Sequence, residues 1–283
     1  MHPNGYIGRK MHLPPLKEKP AVIIAAFGST TRARAALDMF QAHLDRHFSA
    51  HEIFWAYTSE IIRRKTGLPS LHQTLAQVEA AGFRKAVVQP LHVFPGTEYR
   101  QIQETCAYFP GLRVFMGETL CHRWAFIRQT LAVMEQDFLP PDRGMNLLAL
   151  HGTPLAADPV NIVYMGVEKL VTDRYPHVLA AAVEGIPDPE ALFLRMKNQG
   201  MADRVKQVRI LPMMYFAGMH VRDDLMGEED SWRAYLENMG FTVDCPMVES
   251  EKKPLFKGLA FYPEVTGFLA ERLERALALA GYF

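Results

Sequence analysis

The chain has 283 residues, enough for two domains at about 150 residues each. Lys plus Arg and Asp plus Glu number 31 each, so the chain is formally neutral and lacks the basic excess of nucleic-acid binders and membrane-surface proteins. Three scattered cysteines with no CxxC pair signal neither a disulfide framework nor a zinc knuckle, and no apolar run forms a signal peptide or reaches the roughly 18 residues of a membrane span. The expectation is a cytoplasmic protein without nucleic-acid or membrane partners; the sequence leaves a homo-oligomer open.

Residues 1–19 read as a loosely attached arm ahead of a first domain, 20–140. Short β-rich runs then alternate with helical ones, the pattern of parallel sheets covered by helices. Strands are expected at Ala21–Phe27, Glu52–Tyr57, Lys85–Leu91 and Leu112–Met116, and the segments between them read as helical. Thr31–Phe48 and Ser70–Ala81 carry apolar residues at three-to-four spacing, and Ser70 is placed to cap the latter. The run Pro140-Pro141-Asp142-Arg143-Gly144 breaks the pattern and opens a second domain, 141–283. There Met145–Leu150, Val178–Val183, Gln207–Met213 and Phe241–Asp244 read as strands, and Asn161–Tyr175, Pro189–Gln199 and Ser231–Met239 as helices, with Asp230 placed to cap the last. Pro263–Gly281 closes the chain as an amphipathic helix, with Glu271, Arg272, Glu274 and Arg275 on its polar side.

The halves repeat one another. Phe27-Gly28-Ser29-Thr30 after the first strand of one matches His151-Gly152-Thr153-Pro154 in the other. After the third strands, Pro90 falls on Pro212, Phe94 on Phe216, Gly96 on Gly218 and Glu98 on His220. The fold class expected is therefore α/β, two similar doubly wound parallel-sheet domains related by a pseudo-two-fold, with the active cleft between them.

In open α/β sheets ligands bind beyond the carboxyl ends of the strands. His151, Glu184 and His220 follow three neighbouring strands of the second half, and two imidazoles with one carboxylate make a metal site with coordination positions left open. With eleven histidines in the chain, that spacing alone is weak evidence.

HGTP at His151–Pro154, VEG at Val183–Gly185, and AGMHVRDD with GEEDSW at Ala217–Asp224 and Gly227–Trp232 resemble the anaerobic cobalt chelatases of cobalamin biosynthesis, within the class II chelatases. The AFGST turn at Ala26–Thr30 and the segment Gln89–Tyr99 belong to the same resemblance, which runs from about Pro20 to the C-terminus. It implies an ATP-independent enzyme that inserts Co(II) into sirohydrochlorin. It also implies His151 and His220 as the family histidines, with Glu184 and, on the opposite domain, Glu98 as the acidic residues. The chain departs from the pattern at Pro154-Leu155-Ala156-Ala157-Asp158, where further histidines and an Asn are usual, and at Met219 and Asp223.

On this basis His151, Glu184 and His220 are the metal ligands, and His151, Glu98 and His220 the catalytic set. No cofactor is expected beyond the substrate metal: Co(II) first, with Ni, Fe or Zn able to occupy the site. The tetrapyrrole is expected to meet Phe27, Gly28, Ser29, Thr30, Leu91, Phe94, Met213 and Met214, with Phe216 a further apolar candidate. Ser29, Thr30 and Arg32, after the first turn and ahead of a helix, are placed to meet its carboxylates, with Arg63, Arg64, Lys65 and Arg222 weaker candidates. The ordinary alternatives are a packed His92, core methionines at 213 and 214, and a solvated Arg63–Arg64 face. Competing functions are a nickel or iron chelatase, a non-catalytic tetrapyrrole or metal carrier, and, more distantly, a two-domain sugar or amino-acid binder.

Overall fold

Every residue of the strand β1 (Ala21–Ala26) is buried, as a parallel strand covered on both faces must be. A computed structural model describes residues 14–28, 34–250 and 253–283. Beside β1 lie β2 (Ile53–Tyr57) and β3 (Lys85–Pro90), with β4 (Arg113–Met116) next to β3, all parallel in the order β2-β1-β3-β4. The helices α1 (Arg34–His47), α2 (Glu60–Thr66), α3 (Leu71–Ala80), α4 (Thr97–Ala107) and α5 (Trp124–Met134) follow in turn. The second sheet has the same layout. Its strands β5 (Gly144–Gly152), β6 (Val178–Glu184), β7 (Gln207–Pro212) and β8 (Thr242–Asp244) run parallel in the order β6-β5-β7-β8. Between and after them come α6 (Val160–Arg174), α7 (Pro189–Asn198), α8 (Met201–Arg204), a π-helical turn at Val221–Leu225 and α9 (Trp232–Asn238). An antiparallel hairpin of β9 (Met247–Ser250) and β10 (Lys253–Phe256) precedes the closing helix α10 (Pro263–Gly281).

The duplication holds at the level of single bonds. Leu91 N donates to Ala25 O, and Met213 N to Ala149 O, both at 2.8 Å. Gly28 and Gly152, the glycines of the matched turns, both take positive φ, +101° and +78°.

Strand alternation distributes the core. Val22, Ile24 and Ala26 of β1 join Leu148 and Leu150 of β5 in one apolar cluster with α1, α5, α6 and α10, so the two domains share a core. Ala21, Ile23 and Ala25 face a separate core with α3 and α4, and Leu147 and Ala149 face a third with α7 and α9. Each buried Val, Leu or Ile contributes roughly 1.5–3 kcal/mol. The closing helix does not stay with its own half: α10 packs along β3 and β4 of the first sheet.

Several local expectations need correction. Arg272 is not on a solvated face: α10 is covered on more than one side, and the side chain is buried with Nη1 donating to Phe268 O, Nη2 donating to Leu120 O and its plane 3.7 Å from the Phe126 ring. Asp230 does not cap α9. It takes a positive φ of +48°, and Ser231, extended and buried, accepts from Ala234 N. Of the arm expected over residues 1–19, residues 1–13 lie outside the described residues, and Lys17 is tied down by a bridge to Phe83 and a pair with Glu52 at 2.5 Å. Ser70 caps α3 as expected, in a full capping box with Gln73. Among the described residues no helix is long and apolar enough to cross a membrane.

Candidate metal centre

In β5 only His151 is exposed; the other eight of its nine residues are buried. The strand therefore delivers one polar side chain at its carboxyl end. The next residue, Gly152, is required by a close approach: a Cβ there would lie 1.8 Å from Glu184 O at the end of β6. Gly185, at φ +80°, likewise abuts Thr153 O, where a Cβ would sit 2.3 Å away. The glycines of the HGT and VEG motifs thus let the ends of β5 and β6 close on each other, with Thr153 N donating to Glu184 O at 2.9 Å.

His220 opens the π-helical turn that follows β7. Its ring centroid lies 4.7 Å from that of His151, with the planes at 76°. Each imidazole is oriented through Nδ1: His151 Nδ1 meets Gly152 O at 3.2 Å and His220 Nδ1 meets Asp224 Oδ2 at 2.6 Å. A carbonyl and a carboxylate can only accept, so Nδ1 carries the hydrogen in each ring, and in the neutral imidazole the Nε2 lone pair is the one that can reach a metal. The His220–Asp224 contact is the carboxylate–histidine arrangement that fixes a ligating tautomer. Asp224 went unnoticed in the sequence, although its position four residues after His220 places it on the same helical face.

Glu184 ends β6 but does not complete a triad. Among the described residues no three His, Cys, Asp or Glu side chains converge to hold a metal. Glu184 is fixed by its backbone, in register with Gly152 rather than His151, and among the described residues its half-buried carboxylate makes no hydrogen bond or ion pair.

Glu98 lies in the first turn of α4 with its carboxylate half exposed. Oε2 is 3.2 Å from His92 Nε2, a contact too bent to count as a hydrogen bond, and His92 itself is largely enclosed. Tyr164 of α6 joins this loop to the His151 turn. Its ring meets Phe94 edge-on at 5.1 Å, and its hydroxyl lies near the Gly152 backbone. Burial, with the nearby charges of Asp158 and Glu98, raises the Tyr164 pKa and keeps the phenol neutral.

The expected ring contacts divide. Phe27 is 44% exposed beside Gly28, and Ser59 N donates to Phe27 O while Ile62 packs at Gly28, bringing α2 with Arg63 to that turn. Leu91, Phe94, Met213 and Met214 are instead buried, the two methionines in different cores. They sit at the ends of strands covered on both faces, where an apolar side chain packs inward whichever way it points. Ser29, Thr30 and Arg32 lie outside the described residues. Arg64 forms an exposed pair with Glu60, and Arg222 is taken up by Asp223 at 2.6 Å. Two surface depressions, at α5 against the start of α10 and at Lys17–Pro20 against Phe83, contain none of these residues.

Two duplicated parallel-sheet domains, with a strand-end histidine beside a second histidine from a helical turn, have the layout of a chelatase-type protein. Residues 20–278 match the cobalt chelatase (CbiK) family, and the chain belongs to that family. The sirohydrochlorin cobaltochelatase CbiKC of Nitratidesulfovibrio vulgaris is 27% identical over 286 residues, spanning 95% of this chain and 94% of the relative. SirB from Bacillus subtilis with Fe3+ has a TM-score of 0.61 at 14% identity, over 93% of this chain and 97% of SirB. DR2241 from Deinococcus radiodurans, a multi-domain protein with structural similarity to chelatases, has a TM-score of 0.52 at 14% identity, over 90% of this chain and 54% of its own. At such identities the two structures speak to the fold alone.

Proposed function

We propose that this protein inserts Co(II) into sirohydrochlorin without ATP. The observation that carries the proposal is the His151–His220 pair, one from the end of β5 and one from the turn after β7, with both Nε2 atoms free of hydrogen bonds among the described residues of a cobalt chelatase chain. The substrate is taken from the name of the Nitratidesulfovibrio relative. Co(II) binds the two Nε2 atoms, and the unpaired carboxylate of Glu184 swings in as third ligand or balances its charge. Two imidazoles and one carboxylate leave positions through which the metal passes to the macrocycle. Two pyrrole N–H protons leave as the metal enters, so the reaction is charge-balanced and needs no co-reactant. Glu98, half exposed on the first domain, accepts one proton as the general base, and the other passes to solvent. Phe27, Gly28, Ser29 and Thr30 receive the ring, and Phe27 offers the apolar face. We take 20–140 and 141–283 as the two domains and the cytoplasm as the setting.

The test is turnover. Purified protein mixed with Co(II) and sirohydrochlorin, without nucleotide, should give the metallated absorption spectrum faster than the uncatalysed reaction. In competition at limiting tetrapyrrole, Co(II) should be inserted ahead of Ni(II) and Fe(II). An unchanged rate with tight product binding would identify a carrier, and preference for another metal would reassign the substrate.

A further inference from the structure

The helix α4, which carries Glu98, starts behind a residue that cannot cap it. Gly96 occupies the cap position and has no side chain to offer the first N–H groups. The missing acceptor comes from the other domain. Thr97 N and Thr97 Oγ1 both donate to Asp158 Oδ2, at 3.1 and 2.5 Å. The second oxygen, Asp158 Oδ1, accepts from Val160 N at 3.1 Å, in the first turn of α6. One carboxylate therefore caps two helices that belong to different domains. It sits at the positive ends of both helix dipoles, where an anion is favoured.

The surroundings are built for this approach. Asp158 is 8% exposed. A Cβ on Gly96 would lie 3.4 Å from Val160 Cγ1, an ordinary contact distance, so the start of α4 lies close against the start of α6. Burial works to raise the Asp158 pKa, but the hydrogen bonds from Thr97 and Val160 hold it below the usual carboxylate value. Asp158 lies between the His151 turn and α6, and Thr97 directly precedes Glu98.

We propose that Asp158 is a positioning residue: by capping α4 across the domain boundary it fixes Glu98 relative to His151 and His220. The inference rests on the chelatase reading, because it assigns a part in that reaction to the distance being fixed. Displacing a catalytic group by about 1 Å can cost up to 100-fold in rate, so this cap lies on the path to turnover without touching the substrate.

The experiment is a double-mutant cycle on steady-state Co(II) insertion. Asp158→Ala should lower kcat about tenfold, with KM for Co(II) within about twofold of wild type because both histidines lie in the second domain. Thr97→Val keeps the backbone donor and removes the hydroxyl, and should lower kcat about threefold. In a Glu98→Gln background Asp158→Ala should have no further effect on kcat. Ser70→Ala, which uncaps α3, should lose stability with kcat unchanged. An equal loss from Asp158→Ala in both backgrounds would overturn the proposal, as would wild-type kcat in Asp158→Ala or Thr97→Val. If Asp158→Ala does not fold, Thr97→Val decides alone. Failure of the wild-type protein to turn over would overturn the chelatase reading instead, and is seen in a separate arm.

Discussion

His151 and His220 present their imidazoles to one another at 4.7 Å, one from the end of a buried strand and the other from a helical turn. The strand fixes His151 through its backbone, whereas His220 depends on a side-chain partner, Asp224, at 2.6 Å. That difference gives the first prediction. Asp224→Ala should weaken Co(II) binding about 10- to 100-fold, the usual cost of losing a carboxylate behind a ligating histidine. Equilibrium titration with Co(II) measures it, and unchanged affinity would show that Asp224 does not orient His220.

A second prediction concerns the glycines of the site. Gly152→Ala forces a Cβ to 1.8 Å from Glu184 O at a φ of +78°. Gly67 has a similar φ, +71°, with nothing within 4 Å. Gly67→Ala should cost about 1 kcal/mol for the backbone conformation alone, and Gly152→Ala at least 2–3 kcal/mol more or less independent of buffer, since a clash is added. Chemical denaturation compares them; equal losses would remove the close-approach explanation.

Much of the frame was legible from sequence because parallel strands covered on both faces are short apolar runs, and the two halves repeat them. Gly28 and Gly152 aligned in sequence and share a positive φ. The remainder depended on contacts between distant segments. Nothing local to Asp158 announces Thr97 as its partner, and nothing in the α10 pattern shows that Arg272 is enclosed against Phe126 and Leu120. The β9–β10 hairpin and the π-helical turn were also missed, being short irregular additions to the second half without counterparts in the first. Of the candidate site, the histidine pair is suggested by motifs, and its 4.7 Å approach is a matter of tertiary contact. Leu91, Met213 and Met214 follow strands whose burial continues past their ends, which the apolar runs alone do not reveal.

The shared cap has a pH signature. The Asp158 pKa is held below its unfolded value of 3.8, so the carboxylate contributes its full stability above that value and loses it as pH falls through the lower folded pKa. The difference in thermal midpoint between wild type and Asp158→Asn should be constant down to about pH 4 and shrink on further acidification. A difference that grows as pH falls would contradict the assignment.

The cysteines should be inert in the folded protein. Cys106, Cys121 and Cys245 are unpaired and buried, and burial pushes each thiol up to about 12. Because the thiolate is the reactive form, iodoacetamide at about pH 8 should leave all three unmodified until the protein is unfolded. Mass spectrometry reads the outcome, and rapid labelling of any one in the native state would contradict its burial.

The central claim is tested most directly by the initial rate of Co(II) insertion into sirohydrochlorin for wild type, His151→Ala, His220→Ala and the double variant. If the two imidazoles hold the metal as a unit, each single variant should fall at least about 100-fold, towards the spontaneous rate, and the double variant should be little worse than either. Near wild-type rates in both single variants would contradict it.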